Sequence, residues 1–124
     1  ALSRIFMAGD LAAWPVVSQV AAVSVGLLAG SPLLDLDFRE DQRAEVDMNV
    51  VATADGRLIE VQGTGEQRSF ERSELDRLLD LALAGIAELA ALQVRALGDQ
   101  LRMVEELRGK KRGNAPARSE RGLY

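Results

Sequence analysis

An α+β fold is predicted for this chain: a mainly antiparallel four-stranded sheet of two hairpins, packed by an N-terminal helix and a long C-terminal helix. Three observations predict it. Two hairpin signals, Gly30-Ser31 and Asp55-Gly56, each stand between stretches rich in Val, Leu and Ile. A single long run of apolar residues at helical spacing follows them. The strands are also consecutive in sequence, which favours antiparallel pairing with the helices gathered on one face.

In chain order, residues 1–14 ("ALSRIFMAGDLAAW") place Leu2, Ile5, Phe6, Leu11 and Trp14 on one broad apolar face, and Pro15 ends the predicted helix. Residues 20–29 ("VAAVSVGLLA") read as an apolar strand. With Gly30 and Ser31 as the turn, "PLLDLDF" returns so that Leu28 faces Leu33, Gly26 faces Asp35, Val25 faces Leu36 and Ser24 faces Asp37. Residues 46–53 ("VDMNVVAT") form a third strand, and "RLIEVQG" returns after Asp55-Gly56 as the fourth. That register sets Ala52 against Ile59 and Val50 against Val61 on an aliphatic face. On the other face it sets Val51 against Glu60, Asn49 against Gln62 and Asp47 against Thr64. "GTGEQRSF" is a loop. "SELD" at Ser73 to Asp76 fits a capping box, and from it Leu75, Leu78, Leu79, Ala82, Ile86, Leu89, Leu92 and Leu97 make the longest amphipathic helix. This helix continues or bends at Gly98. Residues 1–107 are read as one domain, and 108–124 as a basic, disordered tail.

Composition narrows the chemistry. The 124 residues contain no cysteine and no histidine, so disulfides, thiolate sites and Ser-His-Asp catalysis are excluded. Proton or metal chemistry falls to carboxylates, which suit hard cations such as Mg²⁺. Residues 1–107 carry nine basic against eighteen acidic side chains, whereas 108–124 carry six against one. The basic tail is read as a solubilising end, with non-specific RNA contact as the alternative. No apolar run spans a membrane and no secretory signal is evident, so a cytoplasmic location is expected.

The acids between the second and third strands stand out. Asp41 and Asp47 lie six apart, with Asp35 and Asp37 before them and Asn49 beside Asp47 on the polar face. Composition alone favours a charged loop between strands. Position favours a cation or a shared proton, because a sheet face crowded with carboxylates carries a repulsive cost that either one relieves.

The stretches "VAAVSVGLLAGSPLLDLDFRED", "AEVDMNVV", "GRLIEVQGTGE" and the Leu-rich helix to Leu97 closely resemble the second half of bacterial ribonuclease PH. The resemblance implies the ribonuclease PH-like α+β fold, here as a C-terminal fragment, in an enzyme assembled as a hexameric ring. It implies a phosphate-dependent 3′-to-5′ exoribonuclease that trims tRNA 3′ ends and releases nucleoside diphosphates. It also implies that Asp41 and Asp47 bind Mg²⁺ or act as acid and base, with Asn49 and Glu60 orienting them. Two departures stand against this. Gln42 replaces the family's usual serine after "ED", and no Gly-Thr-Arg-Thr phosphate-binding element occurs in the chain. The alternative is therefore a catalytically inert fragment or assembly module that keeps the fold without the phosphate-binding arginines.

Overall fold

A computed structural model describes residues 1–113, with side chains to Lys110. The elements run α1 (Leu2–Met7), β1 (Val20–Leu28), β2 (Ser31–Leu34), α2 (Phe38–Asp41), β3 (Val46–Thr53), β4 (Leu58–Gly65), α3 (Arg72–Leu97) and α4 (Asp99–Gly113). The described residues divide into two compact units, residues 18–95 and residues 1–17 with the stretch from 96. No single helix among the described residues is long and apolar enough to cross a membrane.

The larger unit is the predicted sheet and long helix. Four antiparallel strands lie in the order β2-β1-β3-β4. Successive side chains of β1 and β3 point to opposite faces, as in any strand. Val25, Leu27, Val46, Met48, Val50 and Ala52 are buried on one face, where Leu78, Ala82 and Ile86 of α3 join them in a single aliphatic cluster. The opposite face carries Ser24, Gly26, Asp47, Asn49 and Val51, and none of these joins the aliphatic cluster. Every residue of β4, the edge strand, is exposed.

The second hairpin follows its predicted register from Asp47↔Thr64 to Val51↔Glu60. A bulge at Val51/Ala52 then sets Ala52 against Leu58 rather than Ile59. The first hairpin turns earlier than expected. Ala29 and Gly30, both at positive φ (50° and 75°), form the turn, so that Leu28 pairs with Ser31 and Val25 with Leu34. A loop whose two central residues both have positive φ matches the twist of the flanking strands, and Ala29 accepts that conformation beside Gly30. The slip of two residues keeps each side chain on its predicted face. It also ends β2 at Leu34 and takes Asp35 and Asp37 out of the strand.

Asp35 leaves the strand in the left-handed region (φ 59°), its N–H bonded to the Ser24 carbonyl at 2.8 Å. Asp37 caps α2: its carboxylate accepts the Arg39 and Glu40 N–H groups, each at 2.8 Å, and Glu40 accepts the Asp37 N–H at 2.9 Å. This is the chain's complete capping box. The box expected at Ser73-Asp76 does not form. Instead α3 starts at Arg72, Glu74 accepts the Glu71 N–H at 2.9 Å, and Asp76 is taken by Arg72 at 2.9 Å.

In the smaller unit, the first helix stops at Met7, not at residue 14, and Gly9 (φ 88°) lies just beyond its end. Trp14 still reaches Phe6, edge to face with ring centroids 5.6 Å apart, and the Ser3 hydroxyl donates to Gln100 of α4 at 2.6 Å. α3 ends before Gly98, whose positive φ of 51° suits a helix terminus. α4 then runs to Gly113, six residues into the stretch expected to be disordered. The rest of that stretch, 114–124, lies outside the described residues.

Candidate active site

Asp47 lies on β3, in the middle of the sheet, between Gly26 of β1 and Thr64 of β4. Its neighbours along the strand, Val46 and Met48, point into the core, so its carboxylate is directed to the opposite, polar face. Gly26 makes room there. A Cβ at that position would lie 2.6 Å from the Val46 carbonyl oxygen and 2.7 Å from Leu36 Cδ1, so Leu36 lies across the bare backbone next to Asp47. The Asp47 carboxyl is half-buried, and its pKa is raised above the usual carboxylate value. Burial is the main cause and the negative charge of Asp41 the second, while the Met48 N–H draws it partly back.

Asp41 is the last residue of α2 and is exposed. A helical bond from its N–H to the Asp37 carbonyl (2.8 Å) sets its position, and the Ala44 N–H bonds to its own carbonyl at 3.2 Å as the chain turns into β3. The structure thus brings Asp41 within electrostatic range of Asp47, as the sequence proposed. It does not gather the other two acids of the expected cluster, since Asp37 is spent on its cap and Asp35 on the strand exit. Asn49 shares the face of Asp47 two residues along β3. Glu60 does not come near: it stands four residues up β4 from Thr64, a separation of roughly 13 Å along the strand.

A clamp that sequence reasoning missed holds the segment leading into Asp47. The Glu66 and Gln67 N–H groups donate to the Glu45 carbonyl (3.0 and 3.2 Å), and the Gln67 amide donates to the Arg43 carbonyl at 3.3 Å. Arg68 bridges Glu45 (2.9 Å) and Glu74 (2.7 Å). Hydrogen bonds from Arg68, and then from the Glu71 N–H, hold the Glu74 carboxyl down at about 2. No periodicity announces these partners, because they come from a loop, a strand start and a helix start.

Two cavities flank the acids, and neither carboxylate lines them. One, of about 480 Å³, runs past the end of β2 between Ser24, Asp35 and Asn49 on the sheet side and Glu88, Leu89 and Leu92 of α3. The other, of about 300 Å³, is bounded by Gln42, Arg43, Glu45 and Gln67. Gln42, the departure noted in the sequence, therefore lines a cavity just after Asp41.

Among the described residues no group of three or more acidic, cysteine or histidine side chains can hold a metal ion. The pair Asp41 and Asp47 fits a cation that takes one or two protein carboxylates and fills its other positions with water or substrate phosphate oxygens, which is the habit of Mg²⁺. It does not fit a closed protein cage.

A sheet with one face packed by α3 and one polar face, with Asp47 on it and Asp41 on the short helix before it, defines the class to which the comparisons point. The family described as "3′ exoribonuclease family, domain 2" matches residues 18–85, and the chain belongs to that family. It is also 58% identical over 89 residues to the Ribonuclease PH of Parasynechococcus marenigrum (strain WH8102), across 72% of this chain and 36% of that protein. The chain thus spans little more than a third of the curated relative it matches. The matched family region is the larger compact unit up to the middle of α3, and it contains Asp41 and Asp47.

Proposed function

We propose that this chain supplies the carboxylate half of the active site of a phosphorolytic 3′-to-5′ exoribonuclease acting on RNA ends such as those of tRNA. The observation that carries the proposal is the placement of Asp41 and Asp47. They come from different elements, Asp41 from the end of α2 and Asp47 from the polar face of β3, yet lie within electrostatic range of each other. Two carboxylates held in this way are suited to a divalent cation or a shared proton.

In this reading Asp41 and Asp47 would hold Mg²⁺, which supplies charge neutralisation where an attacking phosphate meets a phosphodiester. Asp47, with its raised pKa, takes a proton more readily than an ordinary aspartate, and so suits proton transfer at the leaving ribose hydroxyl. Asn49, on the same face, offers an amide to substrate oxygens. Gly26 and Leu36 keep bulk and water from one side of Asp47. The attacking phosphate needs cations that the described residues do not gather at the aspartate pair. The proposal therefore places phosphate binding, and the assembly into a ring, with the rest of a longer enzyme. The missing Gly-Thr-Arg-Thr element favours, as a second reading, a chain that is inert by itself.

A segment swap tests both readings. Residues 18–97 replace the matching segment of the 58%-identical Ribonuclease PH, and release of nucleoside diphosphate from a tRNA with a 3′ tail is followed with phosphate and Mg²⁺. The swapped enzyme is expected to be active, and Asp41→Asn or Asp47→Asn to lower the rate by roughly 10²–10⁴-fold. The 124-residue chain alone is expected to release none. A folded but inactive swap would favour the inert reading, and full activity in Asp47→Asn would remove the assignment.

A further inference from the structure

Phe38 is out of keeping with the other phenylalanines of the chain. Phe6 is buried and Phe70 packs against the aliphatic core, whereas Phe38 is 75% exposed. The ring is not needed to hold its own turn. The capping box between Asp37 and Glu40 closes one end of α2, and main-chain bonds from Asp41 to Asp37 (2.8 Å) and from Gln42 to Phe38 (3.3 Å) wind it. Phe38 is therefore an aromatic side chain presented to solvent on a braced turn. Three positions separate it from Asp41, and residues so spaced on a helix share a face, with Cβ atoms roughly 5–6 Å apart.

We propose that the Phe38 ring is a stacking platform for a nucleobase of single-stranded RNA whose 3′ end lies at the Asp41–Asp47 pair. The proposal rests on the exoribonuclease reading and adds to it a base-binding position. A base suits this ring better than a protein partner does. The cores of protein interfaces are depleted of charge, and Phe38 stands among Asp37, Arg39, Glu40 and Asp41. An RNA strand presents flat bases joined by anionic links, so a lone ring rimmed by charge can take one base. Every base has a π-face, which makes such a contact tolerant of sequence. Two of the neighbouring acids are turned to the main chain, Asp37 accepting two N–H groups and Glu40 one. Exposed Arg39, the next residue, supplies a cation for an adjoining phosphate.

The test uses the 124-residue chain with Mg²⁺ and a short single-stranded RNA carrying 2-aminopurine as its 3′-terminal base, whose fluorescence falls on stacking. Binding is read separately by anisotropy of a 5′ dye. The chain is expected to bind and to quench. Phe38→Ala should lose the quenching and weaken binding roughly 5- to 150-fold, the range set by one stacked base. Phe38→Tyr and Phe38→Trp should restore both, and all three variants should keep the far-ultraviolet circular dichroism of the parent. An RNA lacking its terminal base should bind the parent and Phe38→Ala equally. RNA bound without quenching, or quenching that survives Phe38→Ala, overturns the stacking role and leaves the exoribonuclease reading standing. No binding of RNA by the parent chain overturns the platform as a property of this chain, and the exoribonuclease reading is then decided by the segment swap.

Discussion

The titration of Asp47 separates two roles that one side chain plays. Its folded-state pKa lies above the ordinary value of 3.8, chiefly through burial. The folded protein therefore holds that proton more tightly than the unfolded chain does. Above the folded pKa the ionised carboxylate lowers stability, and below 3.8 the group is protonated in both states and costs nothing. Asp47→Asn should accordingly raise the midpoint of urea unfolding at pH 7 in EDTA, and the gain should vanish as the pH falls below about 3.8. Under the proposed function, the same variant is expected to lower phosphorolysis in the swapped enzyme by roughly 10²–10⁴-fold. Asp37, also an acid of this stretch, is a helix cap, and the glutamate three residues after it, Glu40, is the local cue that separates it from Asp41.

Elements are distinguished by what stands beside their glycines. Gly26 of β1 faces the Val46 carbonyl, a fixed backbone atom, at 2.6 Å from an added Cβ. Gly85 of α3 faces only the terminal methyls of Leu34, at 2.9 Å, and Leu34 is 36% exposed with room to turn. Gly26→Ala should cost about 1–3 kcal/mol through overpacking in the middle of the sheet. Gly85→Ala should change stability by less than about 1 kcal/mol, because the helix preference for alanine offsets the displaced methyls. Urea midpoints at neutral pH compare the two. A loss at Gly85 equal to that at Gly26 would show that Leu34 is not free to turn. The long helix itself was legible from the spacing of Leu78, Ala82 and Ile86. Its start was not: Glu71 and Glu74 form the terminus, and the cue at Ser73 matched a pattern without the contacts.

For the whole molecule, the large aliphatic cluster, from Ala21 to Ile86, lies within residues 18–95, while Phe6 and Val104 are buried in the smaller unit. A chain cut to residues 18–97, which keeps α3 intact, should fold by itself. The expected result is a single cooperative urea transition with the circular dichroism of a mixed sheet and helix. A fragment without a cooperative transition would show that the outer stretches are needed to complete the core. The same boundary frames the functional proposal, since the family match and both aspartates fall inside the larger unit.

The sequence by itself determined the four strands, the polar and apolar faces of β3 and the long helix, and it singled out Asp41 and Asp47 as candidates. Period-two alternation, the Asp55-Gly56 turn and 3.6-residue spacing are local properties that survive whatever packs around them. The tertiary structure alone decided the pairing that ends β2 at Leu34 and leaves Asp35 and Asp37 outside the strand. It also decided the Arg68 bridge between Glu45 and Glu74 and the exposure of Phe38. Each depends on which distant backbone arrives beside a residue. That is set by how the strands, loops and α3 close on one another, and no window of neighbouring residues contains it.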